Sequence, residues 1–149
     1  MSRYVARPEL ADAKAQGFHG IGEASAATGL SAKMIRRYES VGLLPAAGRT
    51  FAGYRLYAQA DLDRLRFVKR SRSLGFSMKQ IEDLLQLWGD DNRASAQVKK
   101  VAQAHAAELQ ARIAQMQAMH RTLEDLAGHC QGNLQPHCPI LDDLSGCAR

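Results

Sequence analysis

The sequence contains no run of hydrophobic residues that could span a membrane, because no stretch approaches the roughly 18 apolar residues required. The first twenty residues carry scattered charges and no apolar central block, so they do not form a secretory signal. Cysteine is scarce, with three in 149 residues, and we interpret these as reduced thiols of a cytoplasmic protein without a membrane partner.

The sequence also lacks the patterns that are typical of catalytic sites. It has no glycine-rich phosphate-binding loop, no paired carboxylates in a pocket-like context, and no nucleophile with a convincing base. His129 beside Cys130 is a pair that can activate a thiolate, but neighbours in sequence often point apart. We therefore predict that the chain is not an enzyme.

Positive charge is concentrated in one third of the chain. Residues 31–79 carry eleven Lys or Arg side chains and three carboxylates, a local net charge of +8. Residues 80–149 have a net charge of −3, and residues 1–30 are neutral overall. A charge run can be only a solvated face, but so uneven a distribution favours a head that binds the phosphates of nucleic acid.

Two short helices joined by a glycine-containing turn are predicted after residue 20. Residues 21–27 form the first helix, Gly29 lies in the turn, and Ser31 caps a second helix over residues 32–39. This pattern indicates a helix-turn-helix motif, whose second helix enters the DNA major groove, although an ordinary helical hairpin has the same pattern. The outward basic side chains of the second helix are candidate DNA contacts: Lys33, Arg36 and Arg37.

A short hairpin, or wing, is predicted around Ala52-Gly53, because β-prone residues lie on both sides of this pair. Polar-tipped side chains alternate with Leu56, which places them opposite the buried face. Guanidinium groups and tyrosine hydroxyls at a hairpin tip suit phosphate contacts, although ordinary packing is the alternative for one tyrosine. The candidate contacts of the wing are Arg49, Tyr54, Arg55 and Tyr57.

Three further helices are predicted: one over residues 61–70, one opened by the capping box Ser77–Gln80, and a long one from about residue 92 to 127. Gly128 is predicted to end the long helix. An apolar stripe near the 3.5-residue spacing runs along it, which favours a two-stranded coiled coil in a homodimer over packing within the monomer. The stripe comprises Ala102, Leu109, Ile113, Met116, Leu123 and Leu126, with Met119 beside it.

All three cysteines lie within the last twenty residues. Cys130 and Cys138 flank seven residues that include glycine, asparagine and proline, a composition suited to a tight loop. Such a loop can bring two thiolates to opposite sides of one ion, and two soft donors suit Cu(I), whereas zinc usually takes four ligands. Simple burial or a disulfide is the alternative, and His129 and His137 keep a Cys/His zinc site open.

Taken together, these segments resemble the MerR family of transcription regulators over nearly everything after residue 18. The motifs that carry the resemblance are Ile21-Gly-Glu-Ala, Thr28-Gly-Leu-Ser, Ile35-Arg-Arg-Tyr-Glu, Gly42-Leu-Leu, Gly53-Tyr-Arg-Leu-Tyr and Leu74-Gly-Phe-Ser. The cysteine loop is similar to that of the copper-efflux (CueR-like) branch, which senses Cu(I), Ag(I) and Au(I). The resemblance implies that Cys130 and Cys138 are the metal ligands and that Cys147 is not required.

The resemblance also implies a mainly α fold in which the long helix forms an antiparallel coiled coil with a second copy. The expected parts are a winged helix-turn-helix head with its following helix pair, a dimerisation helix, and a metal-binding loop with the tail: residues 18–89, 90–128 and 129–149. Residues 1–17 depart from the family pattern, and we expect a mobile extension that is partly helical over Glu9–Gln16.

The family's mechanism is deformation of a promoter. The dimer binds DNA whose two polymerase-recognition elements are too far apart, and metal binding makes the heads bend and untwist it so that RNA polymerase engages both. Ser95 aligns with a position where sensors of divalent ions have cysteine and sensors of monovalent ions have serine. Two thiolates and one monovalent ion leave a net charge of −1, whereas a buried divalent ion asks for a third anionic ligand. The alternative is a zinc-, mercury- or thiol-redox-responsive regulator of the same family.

Overall fold

The computed structural model describes residues 7–92, 94–134 and 136–146. Within these ranges the chain is mostly helical, which confirms the predicted fold class, and no helix there is long and apolar enough to cross a membrane. The chain divides between Ala94 and Ser95 into two units. The elements are α1 (Leu10–Ala15), α2 (Ile21–Thr28), α3 (Ala32–Ser40), β1 (Gly48–Arg49), β2 (Arg55–Leu56), α4 (Gln59–Ser73), α5 (Met78–Trp88), α6 (Ser95–His129) and α7 (Pro139–Leu144).

Helices α2 and α3 form the predicted helix-turn-helix. Gly29 ends α2 in the left-handed conformation, with φ of +67°, which glycine adopts without the steric cost of a Cβ. The Ser31 hydroxyl accepts a hydrogen bond from the Met34 N–H at 3.2 Å and so caps the start of α3. Ala24 and Ile35 are fully buried between the two helices, as their spacing predicts. The helix-turn-helix is therefore specified by local signals at both helix ends.

The wing is a two-stranded antiparallel hairpin in which Gly48 pairs with Leu56 and Arg49 pairs with Arg55. Thr50 closes its turn, because its N–H donates to the Tyr54 carbonyl at 2.9 Å and its hydroxyl accepts from the Tyr54 N–H at 3.0 Å. The Thr50 side chain is buried, with 1% of the residue exposed. Hydrogen bonds of one threonine thus define the tip of the hairpin.

The predicted alternation along the second strand is wrong at its last position. Leu56 and Tyr57 are both buried, with 5% and 1% of each residue exposed. β2 ends at Leu56, and Tyr57 forms an isolated antiparallel bridge with His19 through two backbone hydrogen bonds of 2.8 Å. Because the chain then turns directly into α4, the tyrosine ring is enclosed in the head rather than presented on the wing.

Helices α4 and α5 follow the wing and complete the first unit. The Lys69 ammonium on α4 donates to the carbonyls of Thr28 and Gly29, at 3.1 and 3.3 Å, and so satisfies the end of α2. The predicted capping box of α5 is confirmed, since the Ser77 hydroxyl accepts from the Gln80 N–H and the Gln80 amide oxygen accepts from the Ser77 N–H. Trp88 stacks on Phe67 with ring centroids 4.8 Å apart, which joins the two helices.

In the second unit, α6 runs from Ser95 through Gly128 to His129, so the prediction that Gly128 ends this helix is wrong. The His129 ring nitrogen Nδ1 lies 2.6 Å from the Asp125 carbonyl oxygen and satisfies one of the last carbonyl groups of the helix. Gly132, with φ of +60°, is the glycine that turns the chain. The short helix α7 follows the loop and contacts α6.

The apolar stripe of α6 is exposed over its central part. About half or more of the residue surface is accessible at its four central large side chains: Ile113 47%, Met116 67%, Met119 53% and Leu123 57%. Leu109 and Leu126, nearer the two ends, are partly covered. In an isolated helix such a stripe is exposed to water. A partner surface that covers the stripe would stabilise the assembly, because it would bury this apolar surface.

Part of the N-terminal extension is attached to the head. Helix α1 lies within the range expected to be helical, and Ala13 on it is fully buried. The Pro8 carbonyl accepts a hydrogen bond from the Phe51 N–H in the wing turn at 3.2 Å. The Lys14 ammonium forms an ion pair with the Glu23 carboxylate on α2. The described end of the extension therefore contacts both α2 and the wing.

Candidate functional site

The outer face of α3 presents the first group of candidate DNA contacts. Ile35 and Tyr38 face the core of the head, with 0% and 3% exposed, and fix the rotation of the helix about its axis. The basic side chains on the remaining face are all exposed: Lys33, Arg36 and Arg37. This arrangement gives α3 an apolar inner side and a cationic outer side, which is what a helix needs to enter a groove lined by phosphates.

The wing presents the second group. The exposed Arg49 donates from Nη1 to the Gly53 carbonyl at 2.9 Å, so its guanidinium spans the turn. Tyr54 at the tip is 61% exposed, and Arg55 is partly buried beside α3. Arg49, Tyr54 and Arg55 therefore reach the surface on one hairpin, with polar groups suited to phosphate oxygens.

Glu39 joins the two groups, and sequence reasoning did not identify it. Its Oε1 accepts from the Ala47 N–H at 3.3 Å, and its Oε2 accepts from Arg55 Nε at 3.1 Å. The Tyr57 hydroxyl approaches the same Oε2 at 3.5 Å. One signal for this role was present, because Glu39 is the only carboxylate among residues 31–60. A lone acidic residue in a basic segment is a natural ion-pair partner for a neighbouring arginine.

Tyr57 differs from the other six candidate DNA contacts because its burial leaves no surface for a phosphate. Its hydroxyl faces Glu39 instead. Burial, together with the charge of the Glu39 carboxylate, raises the pKa of the Tyr57 hydroxyl above its ordinary value, and the charge of Arg55 partly opposes this. Tyr57 therefore stays protonated and supports the position of Glu39.

The candidate metal site is the loop between α6 and α7. Cys130 directly follows α6, and Cys138 directly precedes α7, so the ends of two helices position the two sulfurs. Both cysteines carry free thiols and are partly buried. Two soft, partly shielded donors fit a soft ion that accepts two thiolates. Cys147 lies outside the described residues.

The two histidines beside these cysteines already have partners. His129 Nδ1 contacts the Asp125 carbonyl oxygen, and His137 Nδ1 lies 3.0 Å from Asp142 Oδ2. Over the described ranges, no group of three or more His, Cys, Asp or Glu side chains has a geometry that could hold a metal ion. Ser95, the position aligned with metal-charge selectivity, is the exposed first residue of α6 and offers a neutral hydroxyl.

Two family models match the chain. The model described as MerR HTH family regulatory protein matches residues 20–88, which include the helix-turn-helix, the wing, α4 and α5. The model described as MerR, DNA binding matches residues 62–126, from α4 into the long helix. Together they cover the head and most of α6, while the N-terminal extension precedes both matched ranges.

Curated relatives and solved structures extend this similarity. The chain is 54% identical to Heavy metal-dependent transcription regulator 2 of Rhizobium meliloti over 125 residues, 84% of this chain and 85% of that protein. It is 39% identical to the transcriptional regulator CueR of Salmonella typhimurium, over 85% of this chain and 92% of that protein.

Among solved structures, the chain resembles the transcription regulator PbrR691 of Ralstonia metallidurans in complex with lead(II), with a TM-score of 0.75 and 31% identity over 85% of this chain and 98% of that one. It also resembles HiNmlR, a regulator bound to promoter DNA, with a TM-score of 0.51 and 25% identity over 74% of this chain and 84% of that one. In both of these structures, the part that matches this chain includes a head of the same fold.

Proposed function

Because this chain belongs to the MerR family of transcription regulators, we propose that it activates a promoter when two thiolates at its C-terminal loop bind one Cu(I) ion. The observation that carries the proposal is the pair of free, partly buried thiols of Cys130 and Cys138, each adjoining a helix end. Silver(I) and gold(I) share the preference of Cu(I) for soft donors and are expected to bind the same pair.

Responsiveness to a heavy metal is supported by the relatives. One protein that shares 54% of the aligned residues is named a heavy metal-dependent regulator, and CueR shares 39%. The loop supplies the chemistry that such a response requires, because thiolates are soft ligands, and the nearby Asp142 carboxylate is paired with His137. The chain thus has both the regulator head and a plausible sensor.

Selectivity for a monovalent ion is supported by charge. Two thiolates and Cu(I) leave one negative charge, whereas a divalent ion bound by the same pair would be neutral and would still have open coordination positions. A third anionic ligand would fill one of them, but the aligned position carries Ser95, whose hydroxyl is neutral. Over the described residues, no group of three or more His, Cys, Asp or Glu side chains has a geometry that could hold a metal ion, which gives a Cys/His zinc site no support.

DNA binding is assigned to the basic surfaces of α3 and the wing. Lys33, Arg36 and Arg37 would enter the major groove with α3, while Arg49, Tyr54 and Arg55 would contact phosphates. HiNmlR, which has the same fold over its matched part, was solved on promoter DNA. Tyr57 is assigned a positioning role through Glu39.

The active form would be a homodimer joined along α6. The exposed stripe of Ile113, Met116 and Leu123 is apolar and narrow, and a second copy in an antiparallel coiled coil would cover it. Two heads on one promoter would then bend and untwist the DNA between them once the metal reorders the loop. The bend costs on the order of 1–6 kcal/mol, and the metal would need to shift this balance before RNA polymerase could engage both promoter elements.

A divalent response is the second candidate, and the lead(II) complex of PbrR691 is the observation that favours it. In vitro transcription with reduced protein separates the two. We expect Cu(I) or Ag(I), and not Zn(II), to activate the promoter, and Cys138→Ser to abolish activation while DNA affinity persists. Ser95→Cys should then broaden the response towards divalent ions. Full activation of Cys138→Ser by Cu(I), or activation of the unaltered protein by Zn(II) alone, would refute the assignment.

A further inference from the structure

The described part of the N-terminal extension lies against the turn of the wing. Ala13 on α1 is fully buried, and the Phe18 N–H donates to the Ala13 carbonyl at 3.0 Å. The ion pair between Lys14 and Glu23 holds α1 to α2. Pro8 is bound in turn by the Phe51 N–H, within the hairpin turn that also carries Tyr54. These contacts hold the described end of the extension against the wing turn.

Arg7 is next to this contact in the chain. It directly precedes Pro8, so its Cα lies about 3.8 Å from that of the residue bound to the wing turn. Its side chain is exposed, and so is that of Arg49, whose guanidinium spans the same turn. Two arginines from distant parts of the sequence are therefore placed at one hairpin tip. Residues 1–8 carry Arg3 and Arg7 and no carboxylate, so this segment is locally cationic although residues 1–30 are neutral overall.

We infer that Arg7 is an additional phosphate contact, so that the extension widens the footprint of the wing on duplex DNA. The inference rests on the proposed function, because it requires the wing to approach the DNA backbone. Two features support a DNA phosphate as the partner of Arg7. Its positive charge complements a phosphate, and it lies near the wing turn that the Arg49 guanidinium spans. Arg7 precedes residue 20, where the match to the family model begins, so it lies outside the matched range.

The experiment measures how DNA affinity depends on salt. Full-length, reduced protein is titrated onto a duplex that the unaltered protein has selected from a random-sequence library, at several concentrations of NaCl. Arg7→Ala should weaken DNA binding several-fold. It should also lower the magnitude of the salt slope, the slope of log affinity against log salt concentration, by about one per protomer, or two per dimer. The reason is that each phosphate contact releases condensed counterions from the DNA, and this release is lost with the contact. Arg7→Lys should keep most of the slope, since it keeps the charge.

Two controls make the result specific. Lys79→Ala removes one positive charge from α5, where Lys79 is paired with Asp83 at 2.9 Å, and should leave the slope unchanged. Ala13→Asn places a larger polar group at a fully buried position and should detach α1, so that it lowers the slope as Arg7→Ala does although Arg7 remains. Circular dichroism checks that each variant keeps the helical head.

The outcomes are separable. An unchanged salt slope in Arg7→Ala, with normal DNA binding by the unaltered protein, overturns the inference and leaves the proposed function intact. An equal loss of slope in Lys79→Ala also overturns it, because the effect would then be only net charge. A slope retained in Ala13→Asn overturns the anchoring role of α1. Failure of the unaltered protein to select any duplex refutes the proposed function itself.

Discussion

Arg55 Nε on the wing donates to Glu39 Oε2 on α3 at 3.1 Å, and this contact joins the wing to the second helix of the helix-turn-helix. Both side chains are mostly shielded, with 29% and 15% exposed. Arg55 is thus held in place by a carboxylate while its other guanidinium nitrogens remain available for a phosphate. This pair therefore helps to fix the position of the wing relative to α3.

Glu39→Ala should weaken DNA binding although it removes a negative charge from a basic surface. Loss of the bonds to Arg55 and to the Ala47 N–H frees the wing and costs about 2 kcal/mol of unfolding free energy. Urea unfolding and DNA titration measure the two effects. Glu82→Ala on α5 removes the same charge at an exposed site and serves as the control. Tighter DNA binding by Glu39→Ala than by Glu82→Ala would contradict this role.

Gly29→Ala should destabilise the head more than Gly42→Ala does. Both glycines have positive φ, +67° and +82°, so each substitution should cost about 1 kcal/mol in backbone strain. A Cβ at Gly29 would also lie 2.5 Å from Lys69 Nζ and displace its hydrogen bonds to α2, whereas nothing lies within 4 Å of one at Gly42. Unfolding free energies of the two variants measure the difference.

A Lys69→Met background isolates this second contribution. There the ammonium is already absent, so Gly29→Ala and Gly42→Ala should destabilise the head by similar amounts. If the excess cost of Gly29→Ala persists in this background, Lys69 does not cap α2 in the way the distances indicate.

Tyr57→Phe should change how stability depends on alkaline pH. Burial and Glu39 raise the folded pKa of Tyr57 above its value of about 10 in the unfolded chain. The neutral hydroxyl therefore contributes its full stabilisation below about pH 10, and this is lost as the pH rises through the folded pKa. Urea unfolding between pH 8 and 11.5, a range set around this value, should show a steeper alkaline decline for the unaltered protein than for Tyr57→Phe. Parallel declines would contradict the assignment.

Leu123→Glu should dissociate the dimer. The leucine lies in the exposed apolar stripe of α6, with 57% of its surface accessible in one chain. Replacing an apolar contact with an unpaired carboxylate in both copies should raise the dimer dissociation constant about a hundredfold. Sedimentation equilibrium measures this change.

Ala114→Glu adds the same charge at an exposed position on the opposite face of α6 and is the matched control. It should leave the dimer intact. An equal effect of the two substitutions would mean that the stripe is not the interface.

The parts of the fold that local signals specify could be predicted from the sequence. Ser31 and Ser77 cap α3 and α5 as their neighbours in sequence require, and Gly29 ends α2 where the pattern places it. Gly128 shows the limit of such signals, because glycine permits a left-handed turn but does not enforce one, and α6 continues through it. After the helix has ended, Gly132 adopts the left-handed conformation, with φ of +60°.

The organisation of the site depends on contacts between residues that are distant in the sequence. Such contacts could not be predicted from the sequence pattern. The sequence predicted Tyr57 to be a phosphate contact at the surface, but its pairing with His19 and the immediate start of α4 bury it. Glu39 and Arg55 are sixteen residues apart, and no periodicity links them. For the cysteine loop, residue type and spacing place two soft donors around one short loop, and the assignment of both as metal ligands came from the family resemblance.

Anaerobic titration of the reduced dimer with Cu(I), in the presence of a strong Cu(I) chelator, tests the central claim most directly. We predict one ion bound per protomer by the unaltered protein, retained when Cys147 is replaced by serine and lost in Cys130→Ser and Cys138→Ser. Zn(II) should not compete for this site. Undiminished Cu(I) binding by the Cys130→Ser, Cys138→Ser double variant would contradict the account.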